Sequence, residues 1–518
     1  MPGDFVVPEI GIPSVSNDYH EAAQEPKVSF FPPLFLQRRI WVLDQMRKYH
    51  VTSILDIGCG EGSLLACLAR PAPWLPPPAP LPPTDPAEST QCPSSQFLVP
   101  SQDPLDLYPS FIAGLDISPS DLQYAIEDTS PAAHESSSNI RWEPLEVQIW
   151  EGGLECVNEA FVDMECIVAM EVIEHLEPSV FNSFAPTLLG TYHPQLLLMT
   201  TPSYNFNARF INPITQIRVG GFPDPTYRTN RIFRHLDHKF EWTVAEFTEW
   251  CEEVGKEWGY EVEIGCIGIP LEKDWWGRDE ELGSASQVVA FQRMEGDEWI
   301  EKRKEKERDF RGGEEGEQRS RHTMLARHHH VAHPQAGKPG SILDIGAAVK
   351  TKMEELCEAV MRVEQLWFEH DLAVLCGGWF EFLVAGIESN EGLQLRRDGK
   401  LKREEWEVLL VGGVPEREGL WDGTDDQHQD DDDDENENPG SSGNEWFETA
   451  SDIQNELPGN GWGNCDIAVS NDGGWGSLPD LASASGGWGA GDGWEIGGGW
   501  GTNTDYRDSW VSDDHSGP

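Results

Sequence analysis

The residue types with the most chemistry to offer fall in two short stretches, Glu171-Val172-Ile173-Glu174-His175-Leu176 and, later in the chain, Asp237-His238-Lys239-Phe240-Glu241-Trp242. On a helical turn Glu171, Glu174 and His175 stand at i, i+3 and i+4 and face one way. His238 adds a second imidazole, with His235 as the alternative for that place. Two carboxylates and two imidazoles suit Mg²⁺ or Mn²⁺ better than Zn²⁺, which favours thiolates and imidazoles. Glu171, Glu174, His175 and His238 are therefore candidate metal ligands. The plainer reading of the first stretch is a helix start whose glutamates favour the N-terminal dipole. In the second stretch, Lys239 and Glu241 fit a solvated face.

Such a cluster needs a frame, and the upstream sequence supplies one. Thr52 to Ile57 reads as a short buried strand, and Gly58-Cys59-Gly60-Glu61-Gly62 as the turn into a helix starting near Ser63. Glycines there let backbone approach a ligand, and the helix start presents free N–H groups. A second strand, Phe111 to Ile117, carries Asp116, a carboxylate placed to take both ribose hydroxyls of a nucleoside. The G-x-G-x-G spacing is tighter than the dinucleotide G-x-G-x-x-G and, with Asp56 before it, favours S-adenosylmethionine. Asp56, Gly58, Gly60, Gly62 and Asp116 are the candidate cofactor residues. Asp163 to Met170 and Leu196 to Thr200 read as further buried strands. Glu261 to Ile267 with Gln287 to Gln292 reads as a closing pair. Strands alternating with helical stretches indicate a mainly parallel, doubly wound α/β sheet, with ligands outside the strands' carboxyl ends.

The remaining sequence divides by composition. Residues 1–26 are polar, and 27–294 carry the strand and helix pattern. Within that span, 71–108 are rich in proline and read as an exposed insertion. Residues 295–340 read as a charged linker and 341–415 as a helical extension around Met353, Leu356, Val360, Val363 and Leu366. Ser341-Ile342-Leu343-Asp344-Ile345-Gly346 copies Ser53 to Gly58, but Ala347 and Ala348 follow, so a second cofactor turn is not expected. From 421 to 518 the chain is Asp, Gly, Ser, Asn and Trp, a composition that cannot bury a core.

The net charge is −54, and the residues from 421 onward hold 23 Asp/Glu against one Arg. So acidic a chain is not a non-specific nucleic-acid binder, since that binding rests on phosphate neutralisation. Locally the sign reverses. Arg209, Arg218, Arg228, Arg231, Arg234 and Lys239 share a segment with only Asp224 and Asp237 as acids, a candidate RNA-contacting surface. The bland alternative is that they pair with surrounding acids. Ten cysteines without a CxxC pair fit reduced thiols. No basic, apolar leader and no membrane-length apolar run is present, so cytoplasm, nucleus or both are expected.

Taken together, Phe31-Pro32-Pro33-Leu34 with Gln37-Arg38, the Asp56–Gly62 loop, Glu171–Leu176, Thr201-Pro202-Ser203 with Phe206-Asn207, and Asp237–Trp242 resemble the small-RNA 3′-terminal 2′-O-methyltransferases. The resemblance spans roughly residues 27–294. It implies a class I S-adenosylmethionine-dependent methyltransferase fold. It also implies methyl transfer to the 2′-hydroxyl of the last nucleotide of a small single-stranded RNA, and a metal held by Glu171, Glu174, His175 and His238. His175 or His238 could also accept the hydroxyl proton. With about 26 residues before the first motif, the chain looks like the short form of the family. In the acidic tail, Trp462, Trp475, Trp488, Trp494 and Trp500 each follow a glycine. They resemble the Gly-Trp motifs that seat in pockets of Argonaute or Piwi-type proteins. Two other readings stay open: a metal-assisted O-methyltransferase of a catechol-like molecule, and a non-catalytic Argonaute-binding scaffold.

Overall fold

The computed structural model describes residues 27–78, 107–134, 140–214, 220–312, 321–397, 399 and 405–414. The chain forms two compact units. One holds the described residues up to 45 and from 154 to 312, the other those from 46 to 153 and from 321 to 414. Arg218 and the Gly-Trp tail lie outside the described residues.

Strands β1 (Ser53–Ile57), β2 (Phe111–Asp116) and β3 (Leu145–Glu151) come first along the chain. Next are β4 (Cys166–Met170) and β5 (Leu196–Pro202), the short hairpin β6 (Phe222–Pro223) and β7 (Ile232–Phe233), and the pair β8 (Tyr260–Ile267) and β9 (Ser286–Arg293). β10 (Thr323–His330), β11 (Val360–Arg362), β12 (Leu393–Arg396) and β13 (Glu407–Leu410) complete the series. In the glycine-loop unit β1 pairs parallel with β2, β2 parallel with β3, and β10 antiparallel with β3. In the other unit β4 pairs parallel with β5, and β9 runs antiparallel between β5 and β8. These are the two half-sheets of the class I S-adenosylmethionine-dependent methyltransferase fold, with the expected closing pair in place.

Burial explains why these segments are strands. Ile54, Leu55, Ile57, Ile112, Ala113, Leu115, Ile167, Val168, Leu197 and Leu198 are almost wholly removed from water, as in parallel strands covered on both faces. The helix Val244–Trp258 buries Phe247, Cys251, Val254 and Trp258, a stripe at helical spacing. Its start is fixed by a reciprocal capping box between Thr243 and Glu246, and its end by Gly259 at φ 76°. That start anchors the Asp237–Trp242 stretch just before it.

Three expectations about organisation change. The charged linker contains an ordered helix, Asp297–Gly312, and then β10, a full strand of the sheet. β10 is held partly by histidines: Nε2 of His328 and of His330 bonds the Ile126 and Thr129 carbonyls at 3.1 and 2.9 Å. The helical extension carries four helices, Ile342–Glu355, Val363–Trp367, His370–Leu375 and Phe380–Ser389, but also an antiparallel sheet in the order β11-β13-β12. The proline-rich insertion is not exposed where it begins. Trp142 and Trp367 both donate their indole N–H to the Pro73 carbonyl, at 3.1 and 2.9 Å, and the Leu75 N–H bonds Gly378 O at 2.7 Å. Leu75 is buried in one cluster with Trp142, Val349, Leu366, Trp367, Phe380 and Leu383, and Trp74 packs against it.

The repeated Ser-Ile-Leu-Asp-Ile-Gly adopts two structures. Ser53–Ile57 is β1, whereas Ile342–Glu355 is a helix. Ser341 Oγ accepts the Asp344 N–H at 3.1 Å, and helix-favouring Ala347 and Ala348 come next. The residues flanking the hexamer on its C-terminal side, glycines in one copy and alanines in the other, decide its conformation.

Among the described residues, cysteines 59, 67, 156, 166, 251, 357 and 376 are free thiols. No described helix is long and apolar enough to cross a membrane.

Candidate functional site

The turn after β1 is the first half of the machinery. The Gly58 and Cys59 N–H groups bond the Leu115 carbonyl at 2.8 and 3.3 Å, which ties the turn to the end of β2. Gly60 N–H donates to Asp116 Oδ2 at 2.8 Å, and Ser118 N–H to Oδ1 at 2.9 Å. Each Asp116 oxygen keeps a second lone pair for a ligand hydroxyl. Gly58, Gly60 and Gly62 have φ of 67°, 51° and 81°. At Gly60 a side chain would meet nothing within 4 Å, so the turn faces open space there. At Gly62 a Cβ would lie 2.6 Å from that of Ala125, so a methyl group is excluded. Asp56 is buried at the end of β1. Burial first, and then the charges of Asp56 and Asp116, push the Cys59 thiol far above its usual range, so it is no nucleophile.

The second half follows β4. The chain turns sharply at Glu171, φ 56°, and one 3-10 turn, Ile173–His175, then ends in extended backbone at Leu176. The three acid and imidazole groups therefore do not share one helical face. Glu171 points to Arg38, 2.8 Å away, and accepts the Thr200 hydroxyl at 2.8 Å. Glu174 instead goes inward and is completely buried. Its Oε2 accepts the Thr201 hydroxyl at 3.0 Å, while its Oε1 has no hydrogen-bond partner. The Glu174 carbonyl accepts the Lys239 N–H at 2.7 Å, which docks the Asp237–Trp242 stretch onto this turn.

That docking brings Glu174, His175 and His238 together, with one ligating atom of each within 4.8 Å of the others. The His175 and His238 rings lie edge to face, centroids 4.9 Å apart. His238 is buried and its Nδ1 contacts Glu241 Oε1 at 2.7 Å, leaving Nε2 for a ligand. His235 sits outside this trio, exposed beside Asp237. The titration behaviour matches a cation site. Burial first, then the nearby Glu171 charge, holds the Glu174 carboxyl well above the usual carboxylate range. Desolvation, then the neighbouring His238 and His235, lowers His175 to about 4, so its ring is neutral at pH 7 although its edge reaches solvent. A buried polar atom without a partner is rare, and Glu174 Oε1 beside two imidazoles is one a divalent cation would satisfy.

The basic segment divides. Arg209 is buried, with Asp279 at 2.6 Å. Arg231 pairs with Glu246 at 2.7 Å, and Lys239 with Glu177 at 3.0 Å. Arg234 lies 3.6 Å from the centre of the Phe210 ring. Arg228 is exposed, and its guanidinium bonds neutral groups, the Thr226 hydroxyl and the Lys239 carbonyl. Arg209, Arg231 and Lys239 thus follow the bland alternative of pairing with acids. A cavity of about 200 Å³ lies beside Arg228 and Arg231, walled by Phe181, Phe240 and Trp242.

Reasoning from sequence missed Arg38, Thr200, Thr201 and Asn207 as supporting side chains, and misread Glu241. Glu241 is 1% exposed rather than solvated. The signal was its place three residues after His238.

No family model matches the chain. Curated proteins do. It is 28% identical over 285 residues to a small RNA 2′-O-methyltransferase of Arabidopsis thaliana, covering 55% of this chain and 24% of that one. It is 29% identical over 278 residues to the Drosophila melanogaster protein of the same description, covering 52% and 57%. For that of Schizosaccharomyces pombe the identity is 28% over 245 residues, covering 46% and 54%. The matched region thus spans about half the length of the fly and yeast relatives and about a quarter of the plant one. Among solved structures, the crystal structure of the small RNA methyltransferase HEN1 aligns with a TM-score of 0.37 at 23% identity, covering 60% of this chain and 30% of that one. The methyltransferase domain of bacterial CtHen1-C aligns with a TM-score of 0.33 at 22% identity, covering 51% and 100%. On sequence similarity to plant, insect and yeast members, the chain belongs to the small-RNA 2′-O-methyltransferase family.

Proposed function

We propose that the protein transfers a methyl group from S-adenosylmethionine to the 2′-hydroxyl of the 3′-terminal nucleotide of small single-stranded RNAs, with Mg²⁺ or Mn²⁺ at Glu174, His175 and His238. The observation that carries this reading is the buried, partnerless Glu174 Oε1 set among two imidazoles. A ribose hydroxyl is hardly ionised at neutral pH, and a bound divalent cation supplies the Lewis acidity that makes it a nucleophile. The chain's own groups do the rest. Glu174 and His238 are buried and pinned, so they hold their geometry without reorganising. His175 offers a neutral ring, and with a pKa of about 4 it is a better ligand than proton acceptor at pH 7. Glu171 is a ligand only if it leaves Arg38; paired as it is, it fixes the turn that aims Glu174. Asp116 and the glycine turn take the nucleoside of the methyl donor. Phosphate contact falls to Arg228, whose partners are uncharged.

The test is methyl transfer to a single-stranded RNA of small-RNA length, read as periodate resistance of the 3′ end. Resistance requiring Mn²⁺ or Mg²⁺, lost with a 2′-deoxy terminus, is the expected result. Arg228→Ala should raise KM and flatten the salt dependence by about one counterion. A protein that binds S-adenosylmethionine but modifies no RNA end would refute the reading.

The Gly-Trp tail supports a partner of the Argonaute or Piwi type. Several weak tryptophan anchors on one linker gain by multivalency. Changing Trp462, Trp475, Trp488, Trp494 and Trp500 to Ala should abolish co-purification with Argonaute and leave methylation of free RNA intact. Undiminished co-purification would end this part of the proposal.

A further inference from the structure

We propose that Glu241 is a positioning residue, whose carboxylate fixes the His238 ring so that Nε2 carries the lone pair offered to a divalent cation. The inference rests on the metal reading of Glu174, His175 and His238. A side-chain carboxylate with no exposed surface is costly unless it is well bonded. Glu241 is such a group, and three donors converge on it. His238 Nδ1 lies 2.7 Å from Oε1, and the Arg234 backbone N–H donates to the same oxygen at 2.9 Å. The Asn207 side-chain amide donates to Oε2.

Two of those contacts, to Asn207 and Arg234, would serve any structural residue joining two loops. The third reaches a side chain already placed in the cation cluster. A carboxylate accepts and does not donate, so the proton on the imidazole belongs to Nδ1 and the lone pair to Nε2. The carboxylate also sets the ring plane, because its own position is fixed from both sides. The Glu241 backbone is held as well, since Arg231 donates to its carbonyl at 2.9 Å. Carboxylate–histidine pairs of this kind orient metal ligands generally, and losing the outer partner lowers metal affinity about 10- to 100-fold.

The experiment uses the full chain and two readouts that need no RNA. First, free Mn²⁺ is counted by electron paramagnetic resonance during titration of wild type, Glu241→Gln, His238→Ala and the double variant. Glutamine keeps the size of the side chain and removes its charge. The expected result is a dissociation constant raised at least about 10-fold by Glu241→Gln. In the His238→Ala background the same change should have no further effect, because Glu241 acts through His238. Glu241→Gln with wild-type Mn²⁺ affinity, or an undiminished effect without His238, would overturn the proposal. Second, ¹⁵N spectra of the histidine rings in the metal-free wild type read the tautomer directly, with His238 assigned by its loss in His238→Ala. Protonated Nδ1 and bare Nε2 are expected; the opposite tautomer overturns the proposal even where a variant does not fold. If wild type binds no Mn²⁺ at all, the cation reading itself fails, a result distinct from an unaffected Glu241→Gln.

Discussion

Glu174→Gln is expected to lower methyl transfer at least about a thousandfold while leaving the metal-free protein as stable as wild type or more so. The loss follows if the site contributes several kcal/mol to the barrier, since each 1.4 kcal/mol or so is a factor of ten. The stability half follows from burial. Wild type keeps a carboxylate where water cannot reach and leaves Oε1 without a partner. Its carboxyl is held well above the usual range, by burial first and then by Glu171. The folded chain therefore holds that proton more tightly than the unfolded chain does. The stability this contributes is fully present below the ordinary carboxylate range and is lost as pH rises through the elevated pKa. Without metal, the melting temperature of wild type should fall toward alkaline pH, and that of Glu174→Gln should fall less. Mn²⁺ at about a hundred times its dissociation constant should restore about 2.7 kcal/mol to wild type and nothing to the variant. Melting curves across pH, in chelator and in Mn²⁺, test both halves. A variant that is still stabilised by Mn²⁺ would remove Glu174 from the site.

Trp367→Ala should cost about 3–5 kcal/mol, the range for truncating a buried large aromatic. Trp367 is 2% exposed, donates to Pro73 O, and packs against Trp74, Trp142 and Phe380 with ring centres 6.3, 6.3 and 5.5 Å away. Trp275 is 67% exposed, so Trp275→Ala should stay within about 0.5 kcal/mol of wild type. Urea unfolding followed by circular dichroism separates the two. Equal midpoints would mean that the cluster around residues 73–75 does not stabilise the fold.

Local pattern carried much of this site. The glycine turn stood between a buried strand and a helix start, and three glycines with positive φ sit there. Glu174, His175 and His238 were legible as residue types that hold cations, and the fold brings them within reach of one another. Glu171 was not legible as Arg38's partner, because that contact joins segments far apart in the chain and a left-handed residue breaks the assumed helical spacing. Glu241 looked like surface because charged residues usually are. Only Asn207, Arg234 and His238 together reveal why it is buried. β3 was overlooked although Leu145, Val147 and Ile149 alternate with Glu146, Gln148 and Trp150. β10 was hidden behind a run of arginine and histidines, typical of an edge strand with one wet face. The basic segment shows the limit of counting charges: its acids came from Glu177, Glu246 and Asp279, outside the window that was counted.

The anchoring of Pro73 also sets a schedule for synthesis. Its carbonyl is bonded by Trp367, 294 positions later in the chain. A ribosome adding about 5–20 residues per second needs about 15–60 seconds to cover that distance. For that interval Trp74, Leu75 and Trp142 lack the aromatic surface they finally pack against. β3 likewise waits for β10 to cover its open edge. A newly made chain therefore presents unpaired strand and bare indole together, the kind of surface that chaperones hold and proteases sample, until its C-terminal half has emerged.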